Sequence, residues 1–233
     1  MNILKRKKTA FIIQIILVVL EIVAFGLCMN KGGLRNFKYF TVLSNVSTML
    51  VGICYIILYL MMKGQQKELP KWLRWLRYMV TNSLALTFVI VVTVLVPMGA
   101  KDGKGWALLY KNAQSLHHII CPFLSVFSFC LFEEGELRKW DIVIAIIPTI
   151  IYAILFSFLN LIKAVKGPYA FLEVYNQPVY LSIIWFIVIN GASCGLAWLI
   201  LLGTRLKFFK RDENEVDMIE MEERRNEEEN IGS

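Results

Sequence analysis

The chain has 233 residues, of which 57% are hydrophobic and 18% charged, with a formal net charge of +7 and a mean hydropathy of +0.58. Soluble domains run at roughly 45–50% apolar residues, so an aqueous fold has no room to hide this surface, and the expectation is an all-α polytopic membrane protein. The positive charge reads as a topology signal, which removes the reason to expect a nucleic-acid partner.

Apolar runs near the roughly 20 residues that cross about 30 Å of hydrocarbon predict six transmembrane helices. The first, at about 10–29, follows a basic start. It is expected to stay as a membrane helix and not to be a secretory signal, because the run Phe11 to Met29 is long and no small-x-small cleavage site follows it. Glu21 lies midway along it. A carboxylate there costs roughly 2.5–3.5 kcal/mol on insertion scales, so it is expected to face the bundle interior, either in a structural hydrogen bond or as part of a pocket or proton relay.

The second run, at about 40–62, opens with Phe37-Lys-Tyr-Phe-Thr-Val-Leu-Ser-Asn45, and Thr41, Ser44, Asn45 and Thr48 fall at i, i+3, i+4 and i+7. One stripe of a helix carries all four, and it must face protein or a wet cavity. Before the third run, at about 79–98, the segment Lys71-Trp-Leu-Arg-Trp-Leu-Arg77 places Lys71, Arg74 and Arg77 along one helical side. With Trp72 and Trp75 it reads as an interfacial lead-in.

The fourth run, at about 113–132, holds the only two histidines, His117 and His118, with Asn112, Gln114, Ser115 and Ser125 nearby and Pro122 about one turn on. That proline removes a backbone hydrogen bond, so a bend around a pocket is expected. The fifth run spans about 141–162 and the sixth about 179–202. Between them Gly167-Pro-Tyr-Ala-Phe-Leu-Glu-Val-Tyr-Asn-Gln-Pro178 supplies aromatic and polar groups, Tyr169, Phe171 and Glu173 among them, that can roof a pocket. Asn190 and Ser193 on the sixth run are expected to act as packing hydrogen bonds.

Residues 1–210 thus form the expected transmembrane domain, and 211–233 an acidic tail, helical or disordered. The N-terminus, the second and fourth connections and the tail hold 17 of the 25 Lys and Arg residues, which places both termini in the cytoplasm by the positive-inside bias. The five cysteines are scattered without a Cys-x-x-Cys pair, so neither a metal site nor a disulfide framework is expected, and no cofactor.

In that orientation Thr41 and the histidines both lie within about two helical turns of the outer surface, where they can meet. A threonine hydroxyl becomes a nucleophile when a base takes its proton, and imidazole suits that task near neutral pH. Free N–H groups at the start of the second helix, with the Asn45 amide, favour a developing oxyanion. Glu173 is a candidate to orient one histidine. Read as packing, the same hydroxyls and amides are interhelical hydrogen bonds of about 0.6–2 kcal/mol each.

Phe40-Thr41, the stretch Leu116-His-His-Ile-Ile-Cys-Pro-Phe123 and Tyr169-Ala-Phe-Leu-Glu173 resemble the androgen-induced-gene family. That family includes the androgen-dependent regulators of tissue factor pathway inhibitor, and its members are multi-pass threonine hydrolases. The resemblance implies cleavage of fatty acid esters of hydroxy fatty acids in a cell membrane, with Thr41 as nucleophile and His117 or His118 as its partner. Spacing to the proline favours His117, while the polar stripe of Gln114, Ser115 and Ser125 runs closer to His118. Ser44, Asn45, Gln114, Tyr169, Phe171 and Glu173 are the expected substrate contacts.

The main competing expectation is a small carrier or channel. It calls for polar groups through the full thickness, whereas the sequence concentrates them in the outer half with only Glu21 deep. A haem or quinone carrier is disfavoured, because adjacent histidines point about 100° apart on a helix and no third histidine completes a pair.

Overall fold

A computed structural model describes residues 3–62, 69–100, 103, 105–111, 113–133 and 135–231, with side chains described between Lys5 and Leu206. Asn112, Lys63, Lys67 and the side chains of the acidic tail therefore lie outside the described residues.

Every regular element among the described residues is helical. In chain order these are α1 (Ile3–Gly32), α2 (Phe40–Met61), α3 (Lys71–Ile90), α4 (Val96–Ala100), α5 (Ala107–Tyr110), α6 (Cys121–Phe132), α7 (Asp141–Leu161) and α8 (Val179–Ile231). Short 3₁₀ segments at Gly33–Lys38 and Ala170–Leu172 precede α2 and α8. Among the described residues five stretches are long and apolar enough to cross a membrane: Lys5–Lys38, Phe40–Met61, Lys71–Ala100, Asp141–Leu161 and Val179–Leu206. The sixth apolar helix, Leu116–Phe132, is shorter.

The burial pattern is that of a protein with an apolar outside. On α1 the inward stripe is Gln14, Leu17, Glu21 and Ala24, while Ile12, Ile16, Val19 and Val23 are exposed. The 3.6-residue period separates these two faces, and the face turned outward suits hydrocarbon, not water. Helix α3 is the hub: it packs on α2, α6, α7 and α8, and α1 closes the bundle against α2 and α6. Gly52 marks the α1–α2 approach, since a Cβ there would collide with Gln14 and Val18.

Two π turns, Val91–Leu95 and Leu116–Ile120, each run directly into a proline-bearing helical turn. Pro97 lies at the second position of α4 and Pro122 at the second position of α6. A proline clashes with the carbonyl four residues before it and lacks an N–H. The wider turn moves that carbonyl aside, with the amide of Val96 bonding to Val91 and that of Cys121 to Leu116. The bend expected at Pro122 is thus a widened turn that carries both histidines.

The segment 71–77 differs from its sequence reading. Lys71 lies over the Trp75 ring and Trp72 is exposed, but Arg74 and Arg77 are turned inward. Arg77 pairs with the buried carboxylate of Glu133 and its guanidinium stacks 4.5 Å from the Tyr55 ring and 5.7 Å from Phe129. Arg74 approaches the same carboxylate at 3.7 Å. Glu133, 56 residues away from Arg77 in sequence, is what permits a guanidinium in the interior.

Candidate functional site

The head of α2 forms one wall of a narrow, largely apolar pocket. Phe40 and Thr41 contribute from α2, Leu86, Thr87 and Ile90 from α3, Tyr152 and Ala153 from α7, and Tyr169 and Phe171 from the segment before α8. Aromatic rings close it: Phe40 packs edge-on to Tyr152 at 5.0 Å, and Tyr169 stacks on Phe171 at 5.1 Å and meets Tyr39 edge-on at 5.9 Å. Tyr152 donates to the Lys38 carbonyl at 2.7 Å, which ties α7 to the entry of α2. Three of the expected site residues, Thr41, Tyr169 and Phe171, therefore share one apolar chamber.

Tyr169 is only partly buried, but its hydroxyl is the inward end. It lies against the Thr41 side chain and the backbone amides of Phe40 and Thr41. Removal from water pushes this phenol above its ordinary range, and those polar contacts oppose the shift. The first amides of a helix have no intrahelical partner, so the phenol oxygen occupies the place where a developing oxyanion is best stabilised.

Asn45 sits one turn below. Its side-chain N–H₂ donates to the Thr41 carbonyl at 2.7 Å and to the His117 carbonyl at 3.4 Å, which bridges α2 to the π turn. His117 itself is not on the cavity wall; its imidazole Nε2 is buried without a hydrogen-bond partner among the described residues. His118 is held elsewhere, with Nδ1 2.6 Å from the Leu108 carbonyl. Of the two imidazoles, His117 is the one whose unpartnered Nε2 is fully buried.

The other expected contacts separate. Ser44 donates to the Thr41 carbonyl at 3.0 Å and meets Thr87 at 3.2 Å, an α2–α3 packing bond. Gln114 is half-buried at the start of the fourth apolar stretch and does not line the chamber. Glu173 lies in a second, outward-facing bowl, 3.7 Å from Lys166 and bonded by Asn176, with no contact to either histidine.

Several buried polar residues escaped the sequence reading. Thr81 meets Ser125 at 2.9 Å, and Asn82 donates to the Ala145 carbonyl at 3.1 Å and to Ser193 at 2.9 Å, with Thr149 3.1 Å from the same serine. Thr81, Asn82, Ser83 and Thr87 recur along the third apolar run, and that recurrence was the available signal. Gln14, Thr48, Arg77, Thr81 and Ser125, with Leu17, Val51 and Val80, further line a small cleft of mixed polarity. Polar groups are therefore present in the middle of the bundle and not only beside Thr41.

Comparison with protein-family models, curated proteins and solved structures gives no significant match.

Proposed function

We propose that the protein is a six-span hydrolase of lipid carboxylic esters in a cell membrane, with both termini cytoplasmic, Thr41 as nucleophile and His117 as base. The acyl chain lies in the apolar chamber and the ester carbonyl oxygen displaces the Tyr169 phenol from the head of α2. The Thr41 hydroxyl oxygen attacks the carbonyl carbon, its proton passes to His117, and the alcohol leaves with that proton. Water then hydrolyses the acyl-threonine, releasing the fatty acid and restoring the hydroxyl. For this the His117 ring turns past Asn45 toward Thr41 as substrate enters. The substrate class is a fatty acid ester, as the family resemblance implies.

The observation that supports the reading is a threonine at a helix N-terminus on the wall of a largely apolar chamber. The test is covalent labelling of purified protein by a lipid-tailed phosphonate. Wild type is expected to label at Thr41 and Thr41→Ala not to label. Undiminished ester turnover by the Thr41→Ala, His117→Ala double variant would end the proposal.

A carrier or channel is the second reading, favoured by the buried polar groups Gln14, Thr48, Arg77, Thr81 and Ser125, which line a small cleft farther along α2 than Thr41. Solute flux in liposomes without ester cleavage would establish it.

A further inference from the structure

Three buried side-chain atoms near one helix junction lack a hydrogen-bond partner among the described residues: Glu21 Oε1 on α1, Asn45 Oδ1 on α2 and His117 Nε2 on the π turn. Their residues are 1%, 2% and 4% exposed. A buried polar atom left unmatched costs about 1–3 kcal/mol, so each of the three calls for a partner.

The three belong together by their neighbours. Asn45 already touches the His117 carbonyl at 3.4 Å. The Glu21 carboxyl lies against the Cys121 thiol, and Cys121 follows His117 by about one turn. Helices α1 and α2 both pack on the π turn.

Chemistry selects the occupant. An amide oxygen only accepts, an imidazole nitrogen donates or accepts according to tautomer, and a carboxyl does either according to its proton. An anion has nothing to give Asn45 Oδ1. Groups of three or more His, Cys, Asp or Glu able to hold a metal ion are absent among the described residues. Water supplies two donors and two acceptors in the smallest volume, and buried waters ordinarily bond to about three otherwise unmatched groups.

We propose that Glu21, Asn45 and His117 form a buried water site, and that the bound water makes Glu21 a positioning residue for the His117 ring. The carboxyl reaches the imidazole through water and holds Nε2 in its resting orientation, from which the ring turns toward Thr41 when substrate enters, while Asn45 fixes the π-turn backbone. The water site stands on its own; only the catalytic consequence of holding His117 rests on the hydrolase reading.

The chain has two histidines, so protein labelled with ¹⁵N-histidine and reconstituted in lipid shows only their ring signals, assigned with His118→Gln. A water cross-peak is expected at His117 Nε2. Glu21→Leu should abolish it and move the His117 resonance, and Glu21→Gln should keep it, while the His118 signals, anchored by Leu108, stay in place and report an intact fold. No water cross-peak in the wild type, or one that persists unchanged in Glu21→Leu, overturns the proposal. If Glu21→Leu disturbs His118, the wild-type cross-peak together with its presence in Glu21→Gln decides. Ester turnover on the same samples separates the two ideas, since a water signal without turnover refutes the hydrolase alone.

Discussion

The two ends of the α2–α3 interface bury polar groups by opposite means. At the Thr41 end, Ser44 meets Thr87 hydroxyl to hydroxyl, and beside them an apolar chamber is left open. At the Tyr55 end, Arg77 is clamped by the Glu133 carboxylate and two aromatic faces. Neutral hydroxyls bond their own helix backbone when a neighbour withdraws, so they tolerate a cavity beside them. A guanidinium has no such fallback and must be matched on all sides. The charged end is therefore the expected anchor and the neutral end the place where a ligand can enter.

That contrast can be broken most sharply at the anchor. Glu133→Ala leaves two arginines facing the interior and should cost about 3–5 kcal/mol, read by thermal unfolding in micelles; a loss below about 1 kcal/mol would show that the ion pair is dispensable. Asn82→Leu removes bonds to the Ala145 carbonyl and Ser193 and is expected to cost about 1–2 kcal/mol in the same assay. Thr81→Val deletes a single hydroxyl bond to Ser125 and should cost about 0.6 kcal/mol. The last variant, Ala153→Leu on the chamber wall, narrows the pocket and is read in binding and not in stability. A fluorescent fatty acid that binds wild type ought to bind this variant several-fold more weakly. Equal binding would mean that the chamber takes no lipid chain.

Element placement was legible in the sequence because hydrophobic length is a one-dimensional property: α2 and α7 fall within a residue of their expected ends. The inward stripe of α2 was legible for the same reason, since period alone puts Thr41, Ser44, Asn45 and Thr48 on one side, and all four are buried. Pairing across the bundle was not. Arg77 read as an interfacial cation because nothing local names Glu133 as its partner, and Glu173 read as a possible orienter of histidine because linear order does not reveal that it turns to Lys166. The third apolar run illustrates a different limit. Its hydrophobic mean masked the recurrence of Thr81, Asn82 and Thr87, and their partners on α6, α8 and α2 appear only in the folded bundle.

The widened turn at Leu116–Ile120 carries a consequence for how this chain tolerates change. A π turn amounts to one residue inserted into an α-helix and absorbed as a single wider turn, so the segments on either side keep their phase. Deleting any single position from 116 to 120 would close that turn to a regular spiral and drive the ring of Pro122 against the carbonyl four residues before it, a cost of about 3 kcal/mol. Point substitutions in this stretch should thus be far milder than a one-residue shortening, although both leave the hydropathy profile unaltered.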